Sequence, residues 1–212
     1  MPDLSASLVE LLAGQPVVPV LRIERLADAV PLARALAAGG LPAIEITLRT
    51  PAALDAIRLV AAEVPEAIVG AGTILSGRDF DNAADAGARF IVSPGTTQEL
   101  LDAAHLTSVP FLPGAITPSE IMALAEEGYS VVKFFPAEQA GGAAFLKSLA
   151  SPFAAMRFCP TGGISVKNAS AYLSLPNVIC IGGSWVAPDE LLAAGGWDQI
   201  SALAAEAARL RG

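Results

Sequence analysis

The sequence has little of what metal-dependent and acyl-transfer enzymes usually work with. Across 212 residues it carries one histidine and two cysteines. One imidazole excludes a histidine-rich metal centre, and any Ser-His-Asp triad would have to be built around His105. His105 falls in the segment LLDAAHL, on the polar side of a helical pattern, which predicts a surface position. Cys159 and Cys180 both lie in apolar runs and are expected as buried thiols. Charge is scarce too, at 16% of residues, and it is unbalanced: 13 Lys and Arg against 21 Asp and Glu give a net −8. An acidic chain is a poor partner for nucleic acid, so a bound phosphate would need a local site. No apolar run reaches the roughly 20 residues that span a bilayer without a charge, Pro or Gly interrupting it, so no membrane partner is expected. The first ten residues are short of a signal-peptide pattern and acidic at Asp3 and Glu10. A cytoplasmic chain is the expectation.

What is abundant is apolar surface, at 53% of residues, which implies extensive burial inside a sheet or between subunits. Short β-rich runs begin near Val17, Ala43, Ala67, Arg89, Pro110, Ser130, Arg157 and Asn177, spaced 20 to 27 residues apart. Each is followed by an Ala/Leu-rich stretch with helical spacing, often ending at Gly. Pro31 sits inside the first such stretch and requires that helix to start late or bend. Strands alternating with helices imply parallel strands. Eight units in about 200 residues predict a single (β/α)8 TIM barrel spanning 1–212. An open doubly wound sheet is the alternative, but the first run ends in LRIER, with none of the glycines of a dinucleotide-binding turn. The tail from Leu191 onward reads as one closing helix.

In a barrel the chemistry sits at the C-terminal ends of the strands. Three runs hold a residue foreign to an ordinary core. Lys133 lies in SVVKFFPAE, between two valines and two phenylalanines. Lysine is rarely buried without a partner or a function, and burial favours the neutral amine that nucleophilic attack on a ketone needs. The plain alternative is a lysine that snorkels outward to pair with Glu138. Glu45 stands mid-strand between two isoleucines, where a carboxylate is costly unless paired. Lys133 can be that partner, dividing nucleophile from general base; a structural ion pair is the alternative. Arg49, just beyond the same strand, offers a planar fork for a carboxylate, or is only a solvated loop residue. Thr73 after VGAG could add a hydroxyl, or simply cap the next helix. The last two runs end in glycine pairs, Gly162–Gly163 and Gly182–Gly183, with Ser184 next. The loops after strands seven and eight often bind phosphate in barrels, although tight turns also want glycine.

The blocks PVVPVLR, EITLRT, VGAGT, SPG, KFFPAE, RFCPTGGIS and IGGSW run in order from about residue 16 to 185. With them the chain resembles the 2-keto-3-deoxy-6-phosphogluconate (KDPG) aldolases, which often also cleave 4-hydroxy-2-oxoglutarate. The resemblance implies a class I, metal-independent and cofactor-free aldolase, usually a homotrimer, acting on a small phosphorylated keto acid. It makes Lys133 the Schiff-base lysine and Glu45 the general acid/base. It places Arg49, Thr73 and Thr161 around the pyruvyl group, Pro94 and Phe135 along the pocket, and Gly162, Gly163, Gly182, Gly183 and Ser184 at the phosphate. Rival expectations are a C4-epimeric substrate, 2-keto-3-deoxy-6-phosphogalactonate; a phosphosugar isomerase or epimerase on the same barrel; and a non-catalytic phosphate-ligand binder.

Overall fold

The computed structural model describes residues 3–12 and 14–210. A short helix α1 (Ala6–Leu12) precedes eight strand–helix units. These are β1 (Val17–Leu21), α2 (Ala29–Ala38), β2 (Ala43–Thr47), α3 (Ala53–Glu63), β3 (Ile68–Gly72), α4 (Gly77–Asp85), β4 (Ile91–Val92), α5 (Gln98–His105), β5 (Phe111–Leu112) and α6 (Pro118–Glu126). They continue with β6 (Val131–Phe134), α7 (Gly142–Leu149), β7 (Arg157–Pro160), α8 (Ala169–Leu173), β8 (Ile181–Gly183), α9 (Asp189–Ala194) and α10 (Trp197–Ala208).

Every strand pairing is parallel. Six strands form one sheet in the order β5-β4-β3-β2-β1-β8, and β6 pairs with β7. The order is sequential, without the mid-sheet reversal of a doubly wound fold. Parallel bridges link Gly114 to Lys133, Phe158 to Val178 and Thr161 to Gly182, between the edges of the two sheets.

Strand alternation sorts the apolar residues into two cores. Outward positions such as Ile44, Ile46, Val132, Phe134 and Phe158 pack under the helices. Inward positions such as Ala43, Phe90, Val92, Val131, Cys159 and Cys180 pack on each other and on Leu8 and Leu12 of α1. The Sγ atoms of Cys159 and Cys180 lie 3.3 Å apart in this inner core. Helix α1 is held across the N-terminal strand ends: the Ser5 hydroxyl oxygen accepts from the N–H of Ser130 and of Val131, each at 3.1 Å. Buried Gln15 bridges the same end, donating to the carbonyls of Val17 and Ala43 and accepting from Ala43 N–H.

Several sequence expectations change in detail. Pro31 is the third residue of α2, where no intrahelical N–H bond is lost, and a 3-10 turn at Leu26–Asp28 leads into it. The tail is two helices, because Gly195 adopts φ +66° and ends α9 before Trp197 starts α10. The last two residues of that expected helix, 211 and 212, lie outside the described residues. The eighth strand starts at Ile181 instead of Asn177, whose amide is engaged by the Leu146 carbonyl. His105 is exposed in the last turn of α5. No helix among the described residues is long and apolar enough to cross a membrane.

Candidate active site

Lys133 and Glu45 occupy inward positions on β6 and β2, in line with Val131 and Ala43 beneath them. Their strands are far apart in sequence, yet Lys133 Nζ lies 3.1 Å from Glu45 Oε1 and 3.4 Å from Oε2. Both side chains are almost wholly shielded from solvent, at 6% and 4%. The alternative partner for Lys133, Glu138, is occupied elsewhere: its carboxylate accepts the hydroxyl of buried Tyr172 on α8. Burial, then the bond to Glu138 and its negative charge, push the Tyr172 hydroxyl well above its ordinary range.

Glycines make the room for this pair. Gly72 on β3 pairs with Thr47 in the ladder, and a Cβ there would overlap the neighbouring Glu45 carboxylate. Two residues earlier, a Cβ on Gly70 would run into the Phe90 ring, which forms the layer below. A glycine inside a strand signals close approach of this kind. On the other side of the lysine, Gly114 backs onto the Pro94 carbonyl, and its own N–H reaches the buried Ser93 hydroxyl at 3.4 Å. That contact brings Pro94 beside the Lys133 bridge. The Phe135 ring centroid is 5.6 Å from Lys133 Nζ, within cation–π range.

Thr161 follows β7 and is buried; a Cβ on Gly182 would strike its hydroxyl. The same close approach joins the two glycine loops. Thr161 bridges Gly182, and Gly183 pairs with Pro19 of β1 while its Cα hydrogens face the Trp185 ring. Gly162 and Gly163 take φ of +102° and +73°, which only glycine adopts without strain. The carbonyl of Gly162 accepts from Glu138 N–H at 3.2 Å, so the planar 162–163 peptide turns the Gly163 N–H away from Glu138. Ser184 is exposed beyond β8. Thr73 is the one non-glycine with positive φ, +60°, among the described residues, and it directly follows Gly72. Strained backbone of this kind is held in place by its surroundings and concentrates at working sites.

Arg49 is exposed above the pair and makes no ion pair with Glu45 among the described residues. The sequence reading passed over the residue that holds it. Thr47 is buried, faces inward two residues beyond Glu45, and accepts the Arg49 Nε–H at 2.9 Å. It also missed the Glu138–Tyr172 contact, which no local spacing announces. No cluster of three or more His, Cys, Asp or Glu is placed to hold a metal ion among the described residues.

A shielded amine thus lies against a carboxylate inside a parallel α/β fold, with Gly72 packed on the carboxylate and Gly114 bridged to the lysine. Residues 8–203 match the family model for KDPG and KHG aldolase, and the chain belongs to that family. It is 50% identical over 207 residues to the KHG/KDPG aldolase of Escherichia coli (strain K12), covering 98% of this chain and 97% of that one. The fold is similar to the 2-keto-3-deoxy-6-phosphogluconate aldolase of Zymomonas mobilis ZM4, solved with 3-phosphoglycerate, at TM-score 0.91 and 45% identity over 98% of this chain and 97% of that one. It is equally similar to the KDPG aldolase of Legionella pneumophila, solved with pyruvate captured as a covalent carbinolamine intermediate. That match has TM-score 0.90 and 45% identity over 92% and 95% of the two chains.

Proposed function

We propose that this chain is a class I aldolase that cleaves 2-keto-3-deoxy-6-phosphogluconate to pyruvate and glyceraldehyde 3-phosphate, and also accepts 4-hydroxy-2-oxoglutarate. The observation that carries the reading is the 3.1 Å contact between Lys133 Nζ and Glu45 Oε1 in a shielded interior. A proton can pass directly between them, which leaves the amine free to attack the C2 ketone. Loss of water gives an iminium at Lys133. The iminium is an electron sink: Glu45, directly or through a water, takes the proton of the C4 hydroxyl, and the C3–C4 bond breaks. Glyceraldehyde 3-phosphate departs, C3 of the enamine is protonated, and hydrolysis releases pyruvate.

In this assignment Arg49, Thr73 and Thr161 hold the pyruvyl carboxylate and C2 region, with Pro94 and Phe135 as walls. Gly162, Gly163, Gly182, Gly183 and Ser184 receive the phosphate on backbone N–H groups. The adjacency of the two glycine loops supports it. The bridges at Gly114, Phe158 and Thr161 support a closed (β/α)8 barrel, which we take to be a single domain over the whole chain. A homotrimer is the assembly we favour, with exposed Leu75 and Met122 available for covering; sedimentation analysis tests it. We place the enzyme in the cytoplasm, where its phosphorylated substrate would be found.

The test is borohydride reduction with pyruvate followed by peptide mass mapping. A pyruvate-derived adduct on Lys133 is expected; turnover without any adduct would favour an isomerase using Glu45 alone. Comparing cleavage of the two C4 epimers decides between the gluconate and galactonate substrates, and the gluconate is expected to be faster.

A further inference from the structure

Arg49 lies exposed beyond the end of β2, yet one edge of its guanidinium is held by the protein. Its Nε–H donates to the Thr47 hydroxyl at 2.9 Å. That hydroxyl in turn donates to the Leu21 carbonyl on β1 at 2.7 Å. One lone pair of Thr47 is therefore committed to the guanidinium and its proton to the neighbouring strand, which fixes the direction of both bonds. On the other side of Arg49, Thr50 donates to the Ile23 carbonyl at 2.6 Å, so the turn that carries the arginine is tied once to β1 and once to the segment just after it. The Arg49 Nη atoms have no protein partner among the described residues.

Thr47 shares the inward face of β2 with Glu45 and stands roughly 7 Å above it, two residues along the strand. Because Nε is taken, Arg49 can meet a carboxylate only end-on, with its two Nη groups. We infer that Thr47 is a positioning residue, whose buried hydroxyl sets the edge that Arg49 presents to the carboxylate of the keto acid. This rests on the assignment of Arg49 to that carboxylate. Thr47 touches no reacting atom; it acts through Arg49, and it links the keto-acid end of the site to β1.

The measurement is the pyruvate concentration that half-saturates borohydride inactivation. It is made for the wild type, Thr47→Val, Thr47→Ala, Thr47→Ser, Arg49→Ala and the Thr47→Val/Arg49→Ala double variant. Thr47→Val, which keeps shape and loses the hydroxyl, is expected to raise that concentration about tenfold, and the smaller Thr47→Ala to do the same. Thr47→Ser is expected to stay within about twofold of the wild type, and Thr47→Val to add less than about twofold once Arg49 is gone. An undiminished effect in the Arg49→Ala background, a Thr47→Ser variant as weak as Thr47→Val, or no effect of Thr47→Val while Arg49→Ala weakens binding would each overturn the positioning role alone. If Arg49→Ala binds pyruvate normally, the carboxylate assignment itself falls. The absence of any adduct in the wild type would remove the aldolase reading beneath both.

Discussion

Lys133 and Glu45 meet at 3.1 Å from strands 88 positions apart, and each is the reason the other can be buried. Removing one leaves an isolated charge in the interior. Lys133→Met is therefore expected to abolish pyruvate adduct formation and to lower stability by about 3–5 kcal/mol. Lys133→Met/Glu45→Gln is expected to recover most of that stability while remaining inactive. Thermal or denaturant unfolding beside the trapping assay checks it; a single variant as stable as the wild type would contradict the pairing argument.

Glu45→Gln keeps the size of the side chain but cannot take a proton. Trapping of pyruvate on Lys133 is expected to persist, while exchange of the pyruvate methyl protons in heavy water slows by about 10²–10⁴-fold. Proton NMR of the methyl signal reads it. Exchange at the wild-type rate would remove Glu45 from the proton-transfer role.

Gly70 and Gly72 separate packing from chemistry. Alanine at either position has no space, and each is expected to cost about 1–3 kcal/mol of stability. Only at Gly72 does the added methyl strike the Glu45 carboxylate; at Gly70 it strikes the Phe90 ring. At equal loss of stability, Gly72→Ala is expected to lose far more kcat than Gly70→Ala. Equal kcat losses would mean that the carboxylate is not displaced.

The start of α6 makes a pH-dependent contribution. Burial pushes the Glu120 carboxyl up, but N–H groups of Ile116 and Thr117 and the Thr117 hydroxyl outweigh it and hold the group below the usual carboxylate range. A depressed folded value means a stabilising contribution present above the unfolded titration range and lost as pH falls through the folded value. The Tm gap between the wild type and Glu120→Gln should be constant from pH 6 to 8 and shrink below about pH 4.5. A gap that widens on acidification would reverse the sign of the argument.

Much of this was legible in the residues, for identifiable reasons. Parallel strands buried on both faces read as apolar runs, and their even spacing exposed the alternation with helices. Lys133 and Glu45 stood out because an inward strand position offers a charged side chain no bland environment. Boundaries were less legible. The strands β4 and β5 are only two residues long, and the ladder beyond them is carried by loop carbonyls such as those of Pro110 and Pro113. Seven-residue α1 has too few turns to signal itself, and it gains its place from Leu8 and Leu12 under the sheet. Tyr172 escaped notice because its partner Glu138 is brought to it by the fold, and Thr47 because its link to Leu21 is made only there, although Arg49 stands two residues along the same segment.

The floor under the pair has a kinetic consequence. Leu8, Leu12, Phe90 and Val131 pack the interior below Lys133, and α1 is stitched across that end. With that end packed among the described residues, the proposed site opens towards the C-terminal ends of the strands. For the cleavage proposed, the pyruvyl fragment is tethered at the bottom while the phosphorylated aldehyde occupies the rim, so departure is a queue: the aldehyde leaves first, the keto acid last, and in the reverse direction pyruvate must enter before its acceptor.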